Sequence, residues 1–161
     1  MNATTRPGLA YDDAGNLLID VRGPRFGAAI TTAVLATALV VQGPVGVALV
    51  AFQVAMFAIS TVAGLAWSPY GSLFRIVKRR LDLGPPPETE LEGPPRFAQL
   101  CGLIVAGIGL AAFAVAGVDA VVGWVAVGLV LALSSLLALT GICVGCELYL
   151  VGVRLRARGA A

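Results

Sequence analysis

The sequence predicts an all-α membrane protein in which four transmembrane helices form two hairpins, with the N and C termini both in the cytoplasm. Hydrophobic residues make up 58% of the 161 residues and charged residues only 12%, which is typical of a chain solvated by lipid. Residues 26–74 contain no charge, and residues 97–153 contain only Asp119 and Glu147. Because a helix needs about 20 apolar residues to cross the hydrocarbon core, each stretch holds two crossings but not three.

Residues 1–23 form a polar leader that we expect to lie in the cytoplasm. The segment 1–25 carries six charges and no long apolar core, so no cleaved signal peptide is predicted and the first crossing should remain as an anchor. Within the leader, residues 12–16 are typical of a turn, and residues 17–21 of a short extended or interfacial segment.

The first hairpin is predicted to occupy residues 24–67. Its first helix begins near Gly23 and Pro24, because proline is tolerated in the first turn of a helix. Residues 42–46 contain both glycine and proline and predict a tight turn. The second helix is then expected to end near Trp67.

The long loop at residues 68–96 is predicted to be the main extramembrane segment between the hairpins. It contains a basic amphipathic segment at residues 73–83, followed by three prolines and an acidic run. We expect the basic segment to lie along the membrane surface. Trp67, Tyr70 and Tyr149 lie near predicted interfaces, where aromatic side chains anchor membrane proteins.

The second hairpin is predicted at residues 97–141, with its turn at Val118 and Asp119. Residues 142–161 follow it and carry a Cys-x-x-Cys motif and a second segment that is first apolar and then basic. We expect this C-terminal segment to be interfacial as well.

The positions of lysine and arginine predict the orientation. Three precede the first helix, five lie in the long loop and three follow the last helix, and these are all eleven in the chain. With four crossings the three segments share one side of the membrane, which the positive-inside rule assigns to the cytoplasm. Seven of these side chains are predicted to contact anionic lipid headgroups: Arg75, Lys78, Arg79, Arg80, Arg154, Arg156 and Arg158.

The two hairpins resemble each other as an internal repeat. Gly-Pro-Arg-Phe at residues 23–26 matches Pro-Pro-Arg-Phe at residues 94–97, and each segment opens a hairpin. Near the other end of each hairpin, residues 68–74 correspond to residues 143–149. Because each unit has two crossings, the repeats would share one orientation and be related by an axis along the membrane normal.

Cys143 and Cys146 form the motif that is best suited to chemistry. Two thiols at this spacing can close a disulfide, pass a disulfide to another protein or hold a soft metal ion. A helix that begins near Cys143 would favour the thiolate there, so we interpret Cys143 and Cys146 as a redox pair, with Glu147 as a neighbouring charge that modulates it. The alternative is a packing seam, because both cysteines are small and lie beside a Gly-x-x-x-Gly pair at Gly141 and Gly145.

Cys101 is expected at a depth similar to that of the other two thiols. The cytoplasm is reducing, so the three should rest as thiols. The chain has no histidine, so the alternative of a metal site would need Cys101, Cys143 and Cys146 with Glu147 or water. No cofactor is predicted, and no phosphate loop, dinucleotide fingerprint or catalytic triad is present.

Four segments in this order resemble a known family. They are Gly-Pro-Arg-Phe at 23–26, Ser-Pro-Tyr-Gly at 68–71, Pro-Arg-Phe-Ala-Gln at 95–99 and Cys-Val-Gly-Cys-Glu-Leu-Tyr at 143–149. Together they are similar to the bacterial membrane proteins grouped as domain of unknown function 4395 (DUF4395), over roughly residues 20–155. The resemblance implies a four-helix protein of the bacterial cytoplasmic membrane, in a family associated with thioredoxin-like or sulfurtransferase proteins.

Three functions are compatible with the sequence. The first is a membrane dithiol protein that exchanges electrons or sulfur with a thioredoxin-like or rhodanese-like partner, with Cys143 attacking and Cys146 resolving. The second is a noncatalytic subunit that packs into a larger membrane complex or a homo-oligomer through its small-residue faces. The third is a transporter of a small neutral or sulfur-containing solute, suggested by the repeat. None of these is a stand-alone enzyme, and nothing in the chain indicates nucleic-acid binding.

Overall fold

A computed structural model describes residues 10–13 and 15–159 of the chain. Arg6 and the rest of the leader before residue 10, Ala14 of the predicted turn, and residues 160–161 lie outside the described residues. The described part contains six α-helices: α1 (Arg22–Val41), α2 (Gly43–Val62), α3 (Pro69–Arg80), α4 (Gly93–Ala116), α5 (Val121–Thr140) and α6 (Val144–Gly159). It also contains three short strands: β1 (Ala10–Tyr11), β2 (Leu17–Asp20) and β3 (Thr89–Leu91).

Helices α1, α2, α4 and α5 are long and apolar enough to cross a membrane, which confirms the predicted count of four. They form a bundle in which α1 packs against α2 and α5, and α4 packs against α2 and α5. The core between them contains Leu35, Val50 and Val127, which are all fully buried. The remaining faces of these helices are apolar and exposed, so they contact lipid.

Both hairpin turns form where the sequence predicts them. In the first, Gln42 and Gly43 take positive φ angles of 49° and 55°, so α2 begins directly after Gln42, the residue that ends α1. In the second, Gly117 takes a φ of 84°, and the Trp124 indole N–H donates to the carbonyl of Val118 at 2.9 Å. The first turn is therefore shorter than residues 42–46, the segment predicted from the sequence.

Helix α2 ends at Val62 rather than near Trp67. Gly64 has a φ of 86°, a conformation that breaks the helix and that glycine adopts without strain. A single 3₁₀ turn (Leu65–Trp67) follows, and α3 then begins with Ser68 as its cap, whose hydroxyl accepts a hydrogen bond from the N–H of Gly71 at 3.4 Å. Helix α2 thus ends earlier than the hydrophobicity of the sequence alone indicates.

Helix α3 packs along α1 and sends one side chain into the bundle. Tyr70 lies beside Gly27 and Phe74 beside Gly23, so α3 runs antiparallel to α1. The Tyr70 hydroxyl donates to the side-chain oxygen of Gln53 at 2.9 Å, and the amide nitrogen of that fully buried glutamine donates to Thr31 at 3.1 Å. The Tyr70 hydroxyl therefore satisfies a buried glutamine, while its position at the membrane interface stays a prediction.

A small antiparallel sheet in the order β1-β2-β3 covers the end of the bundle where α1 and α4 begin, which we call the sheet end. The extended segment predicted at residues 17–21 forms β2, whereas β3 was not predicted. Residue Ile19 pairs with Glu90 at the centre of the β2–β3 register. Asp20 holds the sheet to the helices, since its carboxylate lies 2.9 Å from Arg22 and 2.8 Å from Lys78.

A candidate dithiol site at the sheet end

Cys143 caps the N-terminus of α6. Helix α5 is terminated by Gly141, which takes the left-handed conformation with a φ of 82°, and α6 starts at Val144. The carbonyl of Cys143 accepts from the N–H of Glu147 at 3.0 Å, and its Sγ atom accepts from the N–H of Cys146 at 3.3 Å. A side chain that accepts from the third helical residue is the geometry of an N-cap, and here the acceptor is sulfur.

Helix α6 is held against the first turns of α4. A Cβ atom on Gly145 would lie 2.7 Å from the Cβ of Ala98, so only glycine permits this approach. One turn further along, the rings of Phe97 and Tyr149 pack with their centroids 5.8 Å apart. These contacts fix the Cys-x-x-Cys motif on α4, and both thiols remain half-buried. The glycine seam predicted at Gly141 and Gly145 thus contributes packing at Gly145 and a helix end at Gly141.

The two thiols have opposite acidities. The hydrogen bond from the Cys146 thiol, together with the backbone N–H groups of Cys146 and Gly145, lowers the pKa of Cys143 to about 7, although burial and Glu90 act in the other direction. The same bond between the thiols, followed by burial, raises the pKa of Cys146 above its ordinary value. Near neutral pH, Cys143 is therefore substantially thiolate while Cys146 keeps its proton. This is the usual division between an attacking and a resolving cysteine.

Cys101 lies on α4 close enough to Cys143 for the two to interact electrostatically. Even so, no group of three or more histidine, cysteine or acidic side chains within residues 10–13 and 15–159 is arranged to hold a metal ion. The alternative metal site at Cys101, Cys143 and Cys146 is therefore not assembled. Cys143 and Cys146 instead form a pair of thiols, and Cys101 is a third thiol near them.

Besides Glu147, the acid chosen from the sequence, Glu90 lies within electrostatic range of the thiols. Glu147 is exposed and forms no ion pair within the described part of the chain. Glu90 lies on β3, is half-buried, and interacts electrostatically with both Cys143 and Cys146. Sequence reasoning missed it because Glu90 is remote from the motif along the chain and lies in an acidic run that is typical of a solvated loop. The pairing of β3 with β2 fixes its position in the fold.

The basic residues chosen as lipid contacts fall into two groups. Arg75 donates to the Ser72 hydroxyl and the Ala66 carbonyl, and Lys78 pairs with Asp20, so both have partners inside the protein. The others are exposed: Arg79, Arg80, Arg154, Arg156 and Arg158. Contact with headgroups stays a prediction for this second group.

A cavity of about 250 Å³ lies under the sheet on the α3 side of the bundle. Ser68 and Gly71 at the start of α3 line it together with Ile19 of β2. Pro95 and Gln99 of α4 also line it. The start of α3, which the Ser68 hydroxyl caps, is thus bordered by the sheet.

Comparison with known proteins identifies the family. The family model described as domain of unknown function (DUF4395) matches residues 19–154, which include the four helices and the cysteine pair. No curated protein and no solved structure matches the chain. Since the match covers more than half of the sequence, this chain belongs to the DUF4395 family.

Proposed function

We propose that this membrane protein is a dithiol carrier that exchanges electrons with a thioredoxin-like partner through Cys143 and Cys146. The observation that carries the proposal is the capping geometry of Cys143. Its sulfur lies at a helix N-terminus and accepts the N–H of Cys146, and its pKa of about 7 makes it the nucleophile of the pair.

The exchange balances without a further reagent. The Cys143 thiolate attacks one sulfur of a disulfide in the partner, and the other partner sulfur leaves as a thiolate that takes up a proton. Cys146 then loses its proton, attacks Cys143 and displaces the first partner sulfur. The products are a Cys143–Cys146 disulfide and a reduced partner, and the reverse sequence regenerates the dithiol. A rhodanese-like partner would use the same thiolate as an acceptor for sulfur.

We propose further that the sheet end faces the bacterial cytoplasm. Exposed cations cluster at this end, on α3 and on α6, whereas the two hairpin turns at the other end carry only Asp119. The positive-inside rule favours this orientation. It places the thiols where soluble thioredoxin-like proteins are found.

The internal repeat is also a proposal, supported by matching contacts in the two halves. The centroids of Phe26 and Phe74 are 5.6 Å apart, close to the 5.8 Å that separates Phe97 and Tyr149, their counterparts in the second half. Ser68 caps α3 in the way that Cys143, its counterpart, caps α6.

The arginines that open the two hairpins give a second match between the halves. Arg25 donates to carbonyls at the end of α5, and Arg96, its counterpart, donates to carbonyls at the end of α2. Under this correspondence Cys143 occupies, in the second half, the helix-cap position that Ser68 occupies in the first half.

Trapping of the mixed disulfide tests the proposed exchange. The full chain with Cys146→Ser is purified in mild detergent and incubated with a thioredoxin-like protein whose second motif cysteine is serine and whose first carries thionitrobenzoate as a mixed disulfide. We expect a one-to-one adduct on a non-reducing gel that disappears with dithiothreitol, because Cys143 displaces thionitrobenzoate and neither Cys146 nor a second partner thiol is present to resolve the product. Cys101→Ser added to this variant should leave the adduct unchanged. Absence of an adduct, or an equal amount when Cys143 is also changed to serine, would overturn the proposal.

A further inference from the structure

The cavity under the sheet is large enough to hold a small molecule. Protein interiors are packed so closely that few voids exceed the size of one water molecule, whereas this cavity has a volume of about 250 Å³. Pockets for drug-sized ligands measure roughly 300–1,000 Å³. The cavity therefore suits a ligand somewhat smaller than these, or one end of a larger molecule.

The cavity follows one face of α3 from membrane depth to the outside of the bundle. Ser68 and Gly71 line its inner end, and Lys78 lines its outer end, about 15 Å from Ser68 along the helix. Because α3 runs antiparallel to α1, the inner end lies beside Gly27, within α1, and the outer end lies beyond Gly23, near the start of α1. A molecule in the cavity would thus have one end at membrane depth and the other at the sheet end.

The wall of the cavity is mostly apolar. Ile19 of β2, Leu65 of the 3₁₀ turn and Phe74 of α3 all line it. Two hydroxyl groups at the inner end are used within the protein, since Tyr70 donates to Gln53 and the Ser68 hydroxyl bonds to that of Ser60. This part of the cavity therefore favours a hydrocarbon chain.

The outer end offers a cation with unused donors. The charged side chains that line the cavity are Asp20, Arg75 and Lys78, two cations and one acid. Oδ1 of Asp20 accepts from the backbone N–H and Nε of Arg22, and Oδ2 accepts from Nη2 of Arg22 and Nζ of Lys78. Lys78 uses one of its three N–H groups in this bond, and its side chain stays 25% exposed. Positive charge is thus in excess at this end.

We propose that the cavity binds an amphiphile with one anionic head group and a single saturated chain. A carboxylate or phosphate oxygen of the head accepts from Lys78, while Arg22 compensates the charge of Asp20. The chain runs inward along Phe74 toward Leu65, where burial removes its apolar surface from water. Fatty carboxylates and lipid phosphates share this chemistry.

The site is separate from the dithiol. Gln99 lines the inner end of the cavity, whereas Ala98 contacts α6 beside the cysteines. Successive residues of a helix point about 100° apart, so the cavity and the dithiol lie on different faces of α4. The binding of an amphiphile therefore goes beyond the proposed exchange and does not depend on it.

Saturable photolabelling tests the site. The full chain is placed in nanodiscs of phosphatidylcholine, a lipid without net charge, and is irradiated with decanoate that carries a diazirine on its chain. Mass spectrometry should find the label on residues 65–74, and excess decanoate should remove it. Label on Val115, which is 90% exposed at the opposite end of the bundle, should not saturate, because it reports contact with bulk lipid. Absence of saturable label on residues 65–74 would overturn the proposal.

Competitors with the same chain identify the head group. Decanoate and decyl phosphate should both displace the label, whereas uncharged decanol should require at least about tenfold more. Stronger competition by decyl phosphate would indicate a lipid phosphate as the ligand, and stronger competition by decanoate a free fatty carboxylate. Both results support an anionic head group. Equal competition by decanol would overturn it.

Substitutions at the outer end test the contact with Lys78. Lys78→Gln should weaken the binding of decanoate by about tenfold or more, and Lys78→Arg should retain most of it, because arginine keeps the charge and can still pair with Asp20. Arg79→Gln is the matched control. Arg79 is the next residue of the same helix, is exposed and does not line the cavity, so its loss should leave binding unchanged.

Substitutions at the inner end test the position of the chain. Gln99→Leu should leave the affinity for decanoate unchanged or raise it, since an apolar chain lies there. Leu65→Trp should fill part of the cavity and reduce saturable labelling, although the pair between Lys78 and Asp20 stays in place. Thermal unfolding confirms that each variant is folded. Saturable labelling that persists in folded Lys78→Gln and in folded Leu65→Trp would contradict the proposal, as would its loss in folded Gln99→Leu.

Discussion

Gly145 and Ala98 lie so close together that a Cβ atom on Gly145 would be 2.7 Å from the Cβ and 2.8 Å from the Cα of Ala98. The neighbour is partly backbone, so α4 cannot make room by turning a side chain. This contact sets the distance between α6 and α4 and thereby the position of both cysteines. Gly145, one of the two residues between the thiols, is thus a packing residue, while the thiols themselves are free to react.

Gly145→Ala should loosen α6 from α4 and destabilise the protein by about 1–3 kcal/mol, the usual cost of overpacking. Urea unfolding in detergent, followed by circular dichroism, measures the change. Gly152→Ala is the matched control on the same helix, because nothing lies within 4 Å of its Cβ position. That control should be neutral or stabilising by up to about 1 kcal/mol, since alanine favours a helix more than glycine does. Equal effects of the two substitutions would contradict the role of the contact.

The acidity of Cys143 should be visible in its alkylation. The rate of reaction with iodoacetamide, read by mass spectrometry of the modified peptide, should rise with pH with a midpoint near 7 for Cys143, while Cys146 stays unreactive there. Cys146→Ala removes the thiol that donates to Cys143. In this variant the midpoint for Cys143 should therefore rise toward the ordinary thiol pKa near 9. A midpoint that stays the same in this variant would show that the bond between the thiols does not control the acidity.

The four crossings were predictable because each is a long apolar run, and hydrophobicity is a local property of the sequence. The break before α6 was predictable for a similar reason, since Gly141 ends one helix and a continuous helix over residues 120–153 would be too long for a single crossing. Local patterns also identified Cys143 and Cys146 as the pair most suited to chemistry.

Glu90 and Tyr70 could not be found in this way. The position of Glu90 depends on the pairing of β3 with β2, and a pairing between two such short strands leaves almost no pattern in either. Tyr70 lies in a segment that resembles an interface, yet its hydroxyl bonds to Gln53 because the buried amide needs a partner. Both depend on contacts between distant segments, which composition and periodicity do not encode.

Asp20 should make stability depend on acid pH. Burial alone would raise the pKa of its carboxyl group, but hydrogen bonds from Arg22 and Lys78 outweigh burial and lower it from an ordinary value near 3.8 to about 2. A lowered pKa stabilises the fold at pH values above the ordinary one and loses that contribution as pH falls from about 4 to about 2. Asp20→Asn should therefore cost about 1–2 kcal/mol at neutral pH, and the difference from the original chain should shrink over this interval.

Thermal unfolding in an acid-stable detergent at several pH values measures that difference. Asp13→Asn is the control, because Asp13 is exposed at the edge of the same sheet. It should leave the unfolding temperature unchanged throughout. A gap between Asp20→Asn and the original chain that persists undiminished below about pH 2 would show that the carboxylate contributes by packing rather than by charge.

The proposed orientation predicts which ends of the bundle a label can reach from outside the cell. In a chain whose three cysteines are changed to serine, Asp119→Cys should react with a membrane-impermeant maleimide added to intact cells, because the α4–α5 turn lies opposite the sheet end. Leu81→Cys, at the exposed end of α3, should react only after the cells are permeabilised. The two positions lie at opposite ends of the bundle, so a correct orientation requires opposite results from them. The reverse pattern would place the dithiol outside the cytoplasm, where a reducing partner would no longer reach Cys143.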